Sequence, residues 1–293
     1  MLNYDVVRQW DSGDIRHTLV PRDVMLYALG LGIGRDPLDR DQLRFVTENG
    51  LQALPTLGAV LAYPGFWMRD APGVGIDAVR LVHGEQSMWV DHPLPSEGTV
   101  IGRSRVVRVV DKGPDKGALV HVEKVIRSEA GQSLCRIESV VFCRGDGGFS
   151  AHGGGDPPAE ALPATPSGPP DAVLTFETRP EAALIYRLSG DYNPLHSDPD
   201  LAARAGFAQP ILHGLNTYGV AAHLLLRHVC DWQVHRLKML RARFSAPTFP
   251  GDVIHLECWK VGDPQEGQWA LRARVPQRDA TVLSHGRAVC LPA

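Results

Sequence analysis

The chain carries one sequence pattern twice, and this duplication limits the folds open to it. Residues Pro21–Leu29 match residues Pro180–Leu188, roughly 160 positions later, and in both segments a proline precedes an acidic residue and an apolar face at helical spacing. A second match, around Gly58 and Gly219, lies inside the longest apolar helical pattern of each half. A chain duplicated in this way is expected to fold as two similar units.

The two copies are separated by a segment that cannot form a packed unit. Residues 151–171 contain ten glycines and prolines, and no lysine or arginine occurs between Arg144 and Arg179. Such a composition neither buries apolar area nor maintains a regular element, so it predicts a linker. The predicted organisation is an N-terminal repeat at residues 1–150, the linker at 151–171, and a C-terminal repeat at 172–293.

In each copy, the helical pattern is followed by strand-like segments rich in valine and isoleucine. Each copy therefore predicts a long helix followed by an antiparallel meander, which is an α+β fold, and two such sheets placed edge to edge would cover each other's open edges. The predicted strands are 79–90, 100–110, 118–127 and 133–143 in the first copy, and 238–245, 253–261, 269–275 and 281–291 in the second.

Composition excludes several classes of partner. With 30 basic and 33 acidic residues, the net charge of −3 gives no basic surface for nucleic acid. No apolar run is long enough for membrane insertion, and the N-terminal residues do not resemble a signal peptide. The five cysteines are scattered without Cys-x-x-Cys spacing, as expected for reduced thiols. These features predict a cytoplasmic protein.

The two copies differ in one polar loop. The second copy contains Asp191, Asn193 and His196 around a proline, whereas the first has Asp39 in place of the histidine and a glycine in place of Asp191. A carboxylate and an imidazole five residues apart across a stiff turn can share one water and exchange protons with it. The alternative is structural, with Asp191 anchoring a turn and His196 packed beneath it. A structural turn would need the same residues in both copies, so the difference between the copies favours a functional role in the second.

A second candidate feature is Gly214, at the start of the apolar helix predicted over residues 215–229. Backbone N–H groups at a helix N-terminus are free, and glycine lets a thioester oxygen approach them. An ordinary helix-entry turn is the alternative. Together, a water-activating pair and an oxyanion donor suit the addition of water to a conjugated carbonyl.

Other motifs predict no cofactor and no metal. Gly30, Gly32 and Gly34 follow a predicted helix rather than a strand, which excludes a dinucleotide-binding loop. His213 and His223, and likewise His223 and His228, lack partner carboxylates at metal-ligand spacing. His83 and Glu85 are a candidate acid–base pair of the first repeat; the alternative is that Glu85 and Gln86 anchor a strand edge or the domain interface.

Residues Tyr186–His196, Gly206-Phe207 and Pro210–Gly214 resemble the hydratase 2 motif of the MaoC-like dehydratases, which include (R)-specific 2-enoyl-CoA hydratases with the hot-dog fold. The first copy is similar to the N-terminal repeat of the two-repeat members, such as peroxisomal multifunctional enzyme type 2. The segments that carry this similarity are Ala53–Thr56, His83–Gln86, Val109–Gly113 and Arg144–Phe149.

The resemblance implies a double hot-dog fold and the reversible addition of water to a trans-2-enoyl-CoA, giving a (3R)-3-hydroxyacyl-CoA. It implies that Asp191 and His196 hold and deprotonate the water, with Asp191 as the base and His196 its partner in protonating Cα. Asn193 would orient the water and Gly214 would polarise the thioester carbonyl. The implied substrate-binding residues are Phe207, Pro210, Ile211, Leu212, His213 and Arg243.

The same resemblance implies that the first repeat, having lost the catalytic residues, holds the acyl tail, and that the protein is a homodimer. Ala208-Gln209 stands where family members often carry lysine or arginine, so other cations would bind the CoA phosphates. Lys238, Arg241 and Arg243 are either these cations or a solvated strand edge. Two alternatives remain: a hot-dog acyl-CoA thioesterase, which uses the same fold and oxyanion donor, and a non-catalytic acyl-CoA-binding protein.

Overall fold

A single antiparallel sheet of ten strands forms the body of the protein in a computed structural model, which describes residues 2–292. The strand order is β1-β3-β4-β5-β2-β7-β10-β9-β8-β6, so each repeat supplies one half of the sheet. The strands are β1 (Asp11–Leu19), β2 (Leu81–Val90), β3 (Gly98–Asp111), β4 (Ala118–Ser128), β5 (Ser133–Cys143), β6 (Ala172–Glu177), β7 (Leu237–Phe244), β8 (Val253–Lys260), β9 (Gln268–Val275) and β10 (Ala280–Cys290).

The α+β prediction and all eight predicted strands are confirmed, with ends within two residues of those expected. Sequence analysis missed β1 and β6, the two outermost strands. Each pairs with one neighbour only, and most of its side chains are exposed or partly exposed. Edge strands of this kind carry a weak apolar signal, because only one of their faces is covered.

The helices are α1 (Tyr4–Arg8), α2 (Pro21–Gly30), α3 (Arg40–Leu43), α4 (Trp67–Asp70), α5 (Ala182–Tyr186), α6 (Pro199–Arg204) and α7 (Gly214–His228). The longest is α7, which lies against one face of the sheet, called here the inner face, with every residue from Asn216 to Leu226 buried. Among the described residues, no helix has the length and apolarity needed to cross a membrane.

The expectation of a long helix in each repeat holds for the C-terminal repeat and is wrong for the N-terminal one. There the corresponding segment forms only a 3-10 helix, Pro55–Ala59. The chain reverses at Ala62, which has a φ of 48°, and Pro64-Gly65 follows at once. Since proline and glycine disfavour helix continuation, this segment cannot extend as α7 does. The ammonium of Lys124 donates to the carbonyls of Ala59 and Leu61, at 2.7 and 2.8 Å.

The two repeats meet at the centre of the sheet, where β2 pairs with β7. Met88 and Leu240 lie opposite each other on the inner face and are buried. On the outer face, Glu85 lies opposite Arg243 and accepts hydrogen bonds from its Nε and Nη2 atoms, at 2.9 and 2.8 Å. Glu85 is therefore an anchor of the interface between repeats.

The predicted linker crosses the outer face of the sheet from one repeat to the other. Beyond the short 3-10 turn that ends at His152, residues 153–171 form no helix or strand. Asp156 accepts hydrogen bonds from Arg8 and from the Val109 amide, at 3.0 and 2.8 Å. Further along, the carbonyls of Ala164 and Gly168 accept from Arg287 and Trp259, both at 2.9 Å. The segment is thus attached to both repeats.

Candidate active site

The polar loop that distinguishes the second copy follows α5 and the 3-10 turn Arg187–Ser189. Gly190, at a φ of 121°, turns the chain into it. The Asp191 carboxylate accepts from the amide of Asn193 at 3.2 Å, and the Asn193 side chain accepts from the amide of Leu195 at 3.0 Å. Both side chains therefore stabilise the turn, and one carboxylate oxygen and the amide nitrogen keep no partner among the described residues.

His196 is buried at the end of this loop, with a defined tautomer. Its Nδ1 lies 2.8 Å from the carbonyl oxygen of Ile211, so Nδ1 carries the proton and donates it. Burial lowers the pKa of His196, although the Ile211 carbonyl and Asp191 oppose the shift. The imidazole is therefore neutral at pH 7, and Nε2 has a lone pair that can accept a proton.

His213 joins the two catalytic candidates. Its Nε2–H donates to the backbone carbonyl of Asp191 at 3.1 Å, and its ring stacks on that of His196 with centroids 3.6 Å apart and planes at 25°. Burial, followed by the neighbouring His196, lowers the pKa of His213 to about 4. Asp191, His196 and His213 each offer an atom capable of metal ligation, and these atoms lie within 4.8 Å of one another.

Gly214 is the first residue of α7, and no side chain caps this helix. Within residues 2–292, its amide has no acceptor, and the positive end of the helix dipole reinforces its attraction for a negative oxygen. A β-carbon at Gly214 would lie 3.2 Å from the ring of Phe244 on β7. The absence of a side chain thus allows both the close packing and the approach of a ligand.

The N-terminal repeat also reaches this site, which sequence analysis did not predict. The rings of His83 and Phe244 lie 4.8 Å apart, and Phe244 is the residue that packs on Gly214. His83 Nε2 donates to the side-chain oxygen of Gln86 at 2.9 Å, so it is held by its own strand. The segment His83–Gln86 was the sequence signal that could have indicated this contribution to the site. It did not reveal that His83 and Glu85 lie on opposite faces of the sheet.

The predicted substrate-binding residues fall into two groups. Phe207, Pro210 and Ile211 are partly exposed in the segment that leads to α7, whereas Leu212 and His213 are buried. Leu212 packs on Ala182 and Ala183.

Arg243 lies elsewhere, and the structure does not bring it to the cluster. It projects from the outer face and is paired with Glu85, whereas its neighbours Ala242 and Phe244 face inward. The alternation of side chains along β7 explains the difference, because adjacent residues of a strand point to opposite faces.

A long helix packed against an antiparallel sheet, with a carboxylate and an imidazole near its N-terminus, is typical of a hot-dog protein with a candidate acid–base site. Residues 17–145 match the MFE-2 hydratase 2 N-terminal domain, and residues 161–276 match the MaoC like domain. The peroxisomal enoyl-CoA hydratase 2 of Arabidopsis thaliana is 37% identical, with 96% of this chain and 94% of the relative covered.

Two solved structures show the same architecture. A MaoC-like dehydratase from Phytophthora capsici is 33% identical and superposes with a TM-score of 0.85 over 100% of both chains. A double hot-dog protein from Mycobacterium tuberculosis, 17% identical, has a TM-score of 0.58 over 98% and 97% of the two chains and shares the fold. The chain belongs to the MaoC-like dehydratase family, in the group that carries the hydratase 2 N-terminal domain. The double hot-dog prediction is confirmed.

Proposed function

We propose that this protein is an (R)-specific 2-enoyl-CoA hydratase, which adds water reversibly to a trans-2-enoyl-CoA to give the (3R)-3-hydroxyacyl-CoA. The observation that carries the proposal is the grouping of Asp191 and the neutral His196 with His213, whose neighbour Gly214 has an amide without an acceptor within residues 2–292. This arrangement supplies a water-binding pair and an oxyanion donor within one site. The 37% identical relative named enoyl-CoA hydratase 2 supports the same assignment.

In the proposed reaction, water binds between the Asp191 carboxylate and His196 Nε2. Its oxygen forms a bond to C3 while one of its protons moves to Nε2, and the negative charge that develops on the thioester oxygen is stabilised by the Gly214 amide. The imidazolium then returns a proton to C2, which completes the addition. The tautomer of His196 favours this histidine over Asp191 as the proton acceptor, with Asp191 holding the water and stabilising the imidazolium.

We also propose that Asn193 orients the water through its free amide nitrogen, and that the partly exposed Phe207, Pro210 and Ile211 contact the substrate. The acyl tail would extend toward the N-terminal repeat, which has no long helix of its own. Large apolar side chains are exposed next to the catalytic loop, with Leu188 48% and Tyr192 56% accessible. They would cover the tail.

The decisive experiment follows crotonyl-CoA by two signals. Hydration removes the enoyl absorbance without releasing free thiol, and chiral chromatography of the product should give the (3R) isomer. Butyryl-CoA, which has no double bond, is the matched control. Thiol release from either substrate would instead support the thioesterase, and binding without turnover would support an acyl-CoA-binding protein.

Two further expectations belong to this proposal. All five cysteines are free and buried, in keeping with work in a reducing compartment such as the cytoplasm. A homodimer of two-repeat chains is expected, and light scattering of the purified protein measures it directly; a monomer at micromolar concentration would contradict that expectation.

A further inference from the structure

We propose that His213 is a positioning residue of the hydration reaction, which fixes Asp191 and His196 relative to each other. This inference rests on the proposed function. Among residues 2–292, His213 is the one side chain that both stacks on His196 and hydrogen-bonds the main chain of Asp191. Because water must meet both groups at once, their relative position decides how the oxygen is aimed.

The backbone of His213 attaches the ring to α7. His213 occupies the N-cap position, and its carbonyl accepts hydrogen bonds from the amides of Asn216 and Thr217, at 3.0 and 3.2 Å. Residues at this position ordinarily use a short polar side chain to cap the helix. Here the side chain leaves the helix uncapped and turns to the catalytic loop, so the ring connects the oxyanion donor to the acid–base pair.

Two aromatic rings contact the ring of His213. Tyr186, which is fully buried, packs against His213 with ring centroids 5.1 Å apart, and His196 lies on the stacked side at 3.6 Å. His213 itself is 1% exposed. Because the ring is buried and contacts two others, its Nε2–H keeps its direction toward the carbonyl of Asp191.

Packing alone does not account for a histidine at this position. Its Nδ1 atom is buried and has no hydrogen-bond partner within residues 2–292, which a phenylalanine of similar shape would avoid. Compared with phenylalanine, histidine adds the Nε2–H donor, and this group donates a hydrogen bond to the backbone carbonyl of Asp191. A neutral ring also suits a neighbour that becomes positively charged during the reaction, because an aromatic face attracts a cation.

Three substitutions separate the two contacts. His213→Phe keeps the stacked ring and loses the donor, His213→Gln keeps a donor and loses the stack, and His213→Ala loses both. With crotonyl-CoA, we expect kcat of His213→Phe to fall by about 100-fold, the size of effect that a small misplacement causes, while KM stays within about threefold. His213→Gln should retain more activity than His213→Ala, because it partly restores the hold on Asp191.

A double-mutant comparison distinguishes positioning from a general structural role. His213→Phe removes the contact with Asp191, so if His213 acts through Asp191, this substitution should reduce the residual rate of an Asp191→Ala protein by less than about threefold, since the group being positioned is already gone. An equal loss in both backgrounds, or an unchanged kcat in His213→Phe, would overturn the proposal. Thermal unfolding identifies a variant that fails to fold, in which case His213→Gln, which loses the stack on His196, is compared in a His196→Ala protein instead. A wild-type protein without hydration activity would contradict the proposed function itself.

Discussion

Gly219 of α7 packs against Leu31 of the N-terminal repeat so closely that a β-carbon at Gly219 would lie 2.6 Å from Leu31 Cδ2. Both residues lie deep inside the protein, and Leu31 is 1% exposed. The helix that begins at Gly214 is therefore packed directly against the N-terminal repeat.

The first prediction concerns this contact. Gly219→Val should lower the free energy of unfolding by about 1–3 kcal/mol, because added methyl groups overfill a packed core. Leu31→Ala alone should cost about 2–5 kcal/mol through the cavity it leaves. Combined with Gly219→Val it should cost less, since the valine occupies part of that cavity. Urea unfolding of the four proteins measures the coupling, and strictly additive losses would contradict the predicted contact.

The second prediction concerns the catalytic pair. Asp191→Asn and His196→Ala should each lower kcat for crotonyl-CoA by about 10²–10⁴-fold, the range expected for a group that transfers or directs a proton. Asp39→Ala is the matched control from the first repeat, where Asp39 caps α3 through the amides of Asp41 and Gln42. It should cost about 1 kcal/mol of stability and leave kcat unchanged. Mild effects of both catalytic substitutions would refute their assignment.

The third prediction is a pH dependence. Protonation of His196 removes the lone pair that accepts the proton of water, so kcat/KM should fall as the pH decreases through the pKa of this group. Because burial lowers that pKa, the fall should occur below the ordinary histidine value of about 6.5. Rates from pH 4.5 to 8 measure it, with circular dichroism at each pH to confirm folding. An inflection above pH 7 would show that another group limits the reaction.

The fourth prediction concerns the 3-10 helix Pro55–Ala59 of the N-terminal repeat. Lys124 is 8% exposed, and its ammonium group donates hydrogen bonds to the carbonyls of Ala59 and Leu61. Lys124→Met retains the length of the side chain but leaves both acceptors unpaired, which should cost about 2–4 kcal/mol for two buried hydrogen bonds. Lys116→Met, on an exposed turn, is the control and should have almost no effect. Equal unfolding midpoints for the two variants would contradict the predicted role.

Much of the fold could be predicted from the sequence because it depends on local periodicity. Valine-rich alternation located the inner strands, and the apolar pattern after Gly214 located α7. The same reasoning failed at residues 55–65, where the pattern resembles a helix but Pro64 and Gly65 end it early. It also missed β1 and β6, whose partners lie far away in sequence.

The catalytic loop was recognisable because Asp191 and His196 are absent from the matching loop of the first copy. The stacking of His213 could not be predicted, since it depends on how two separate segments meet at the start of α7. The placement of Arg243 depends on which face of β7 turns inward. The charge of Arg243 alone indicated a ligand contact, whereas the geometry of β7 places its side chain opposite Glu85, to which it donates.

The linker, whose residues 153–171 cross the outer face of the sheet, has an evolutionary consequence. When two identical chains form a paired fold, every substitution appears twice, and a change that removes one active site removes both. Here each half has its own sequence, and the linker keeps the two halves together in one chain. One half is therefore free to lose its catalytic groups and acquire new contacts while its neighbour retains the chemistry.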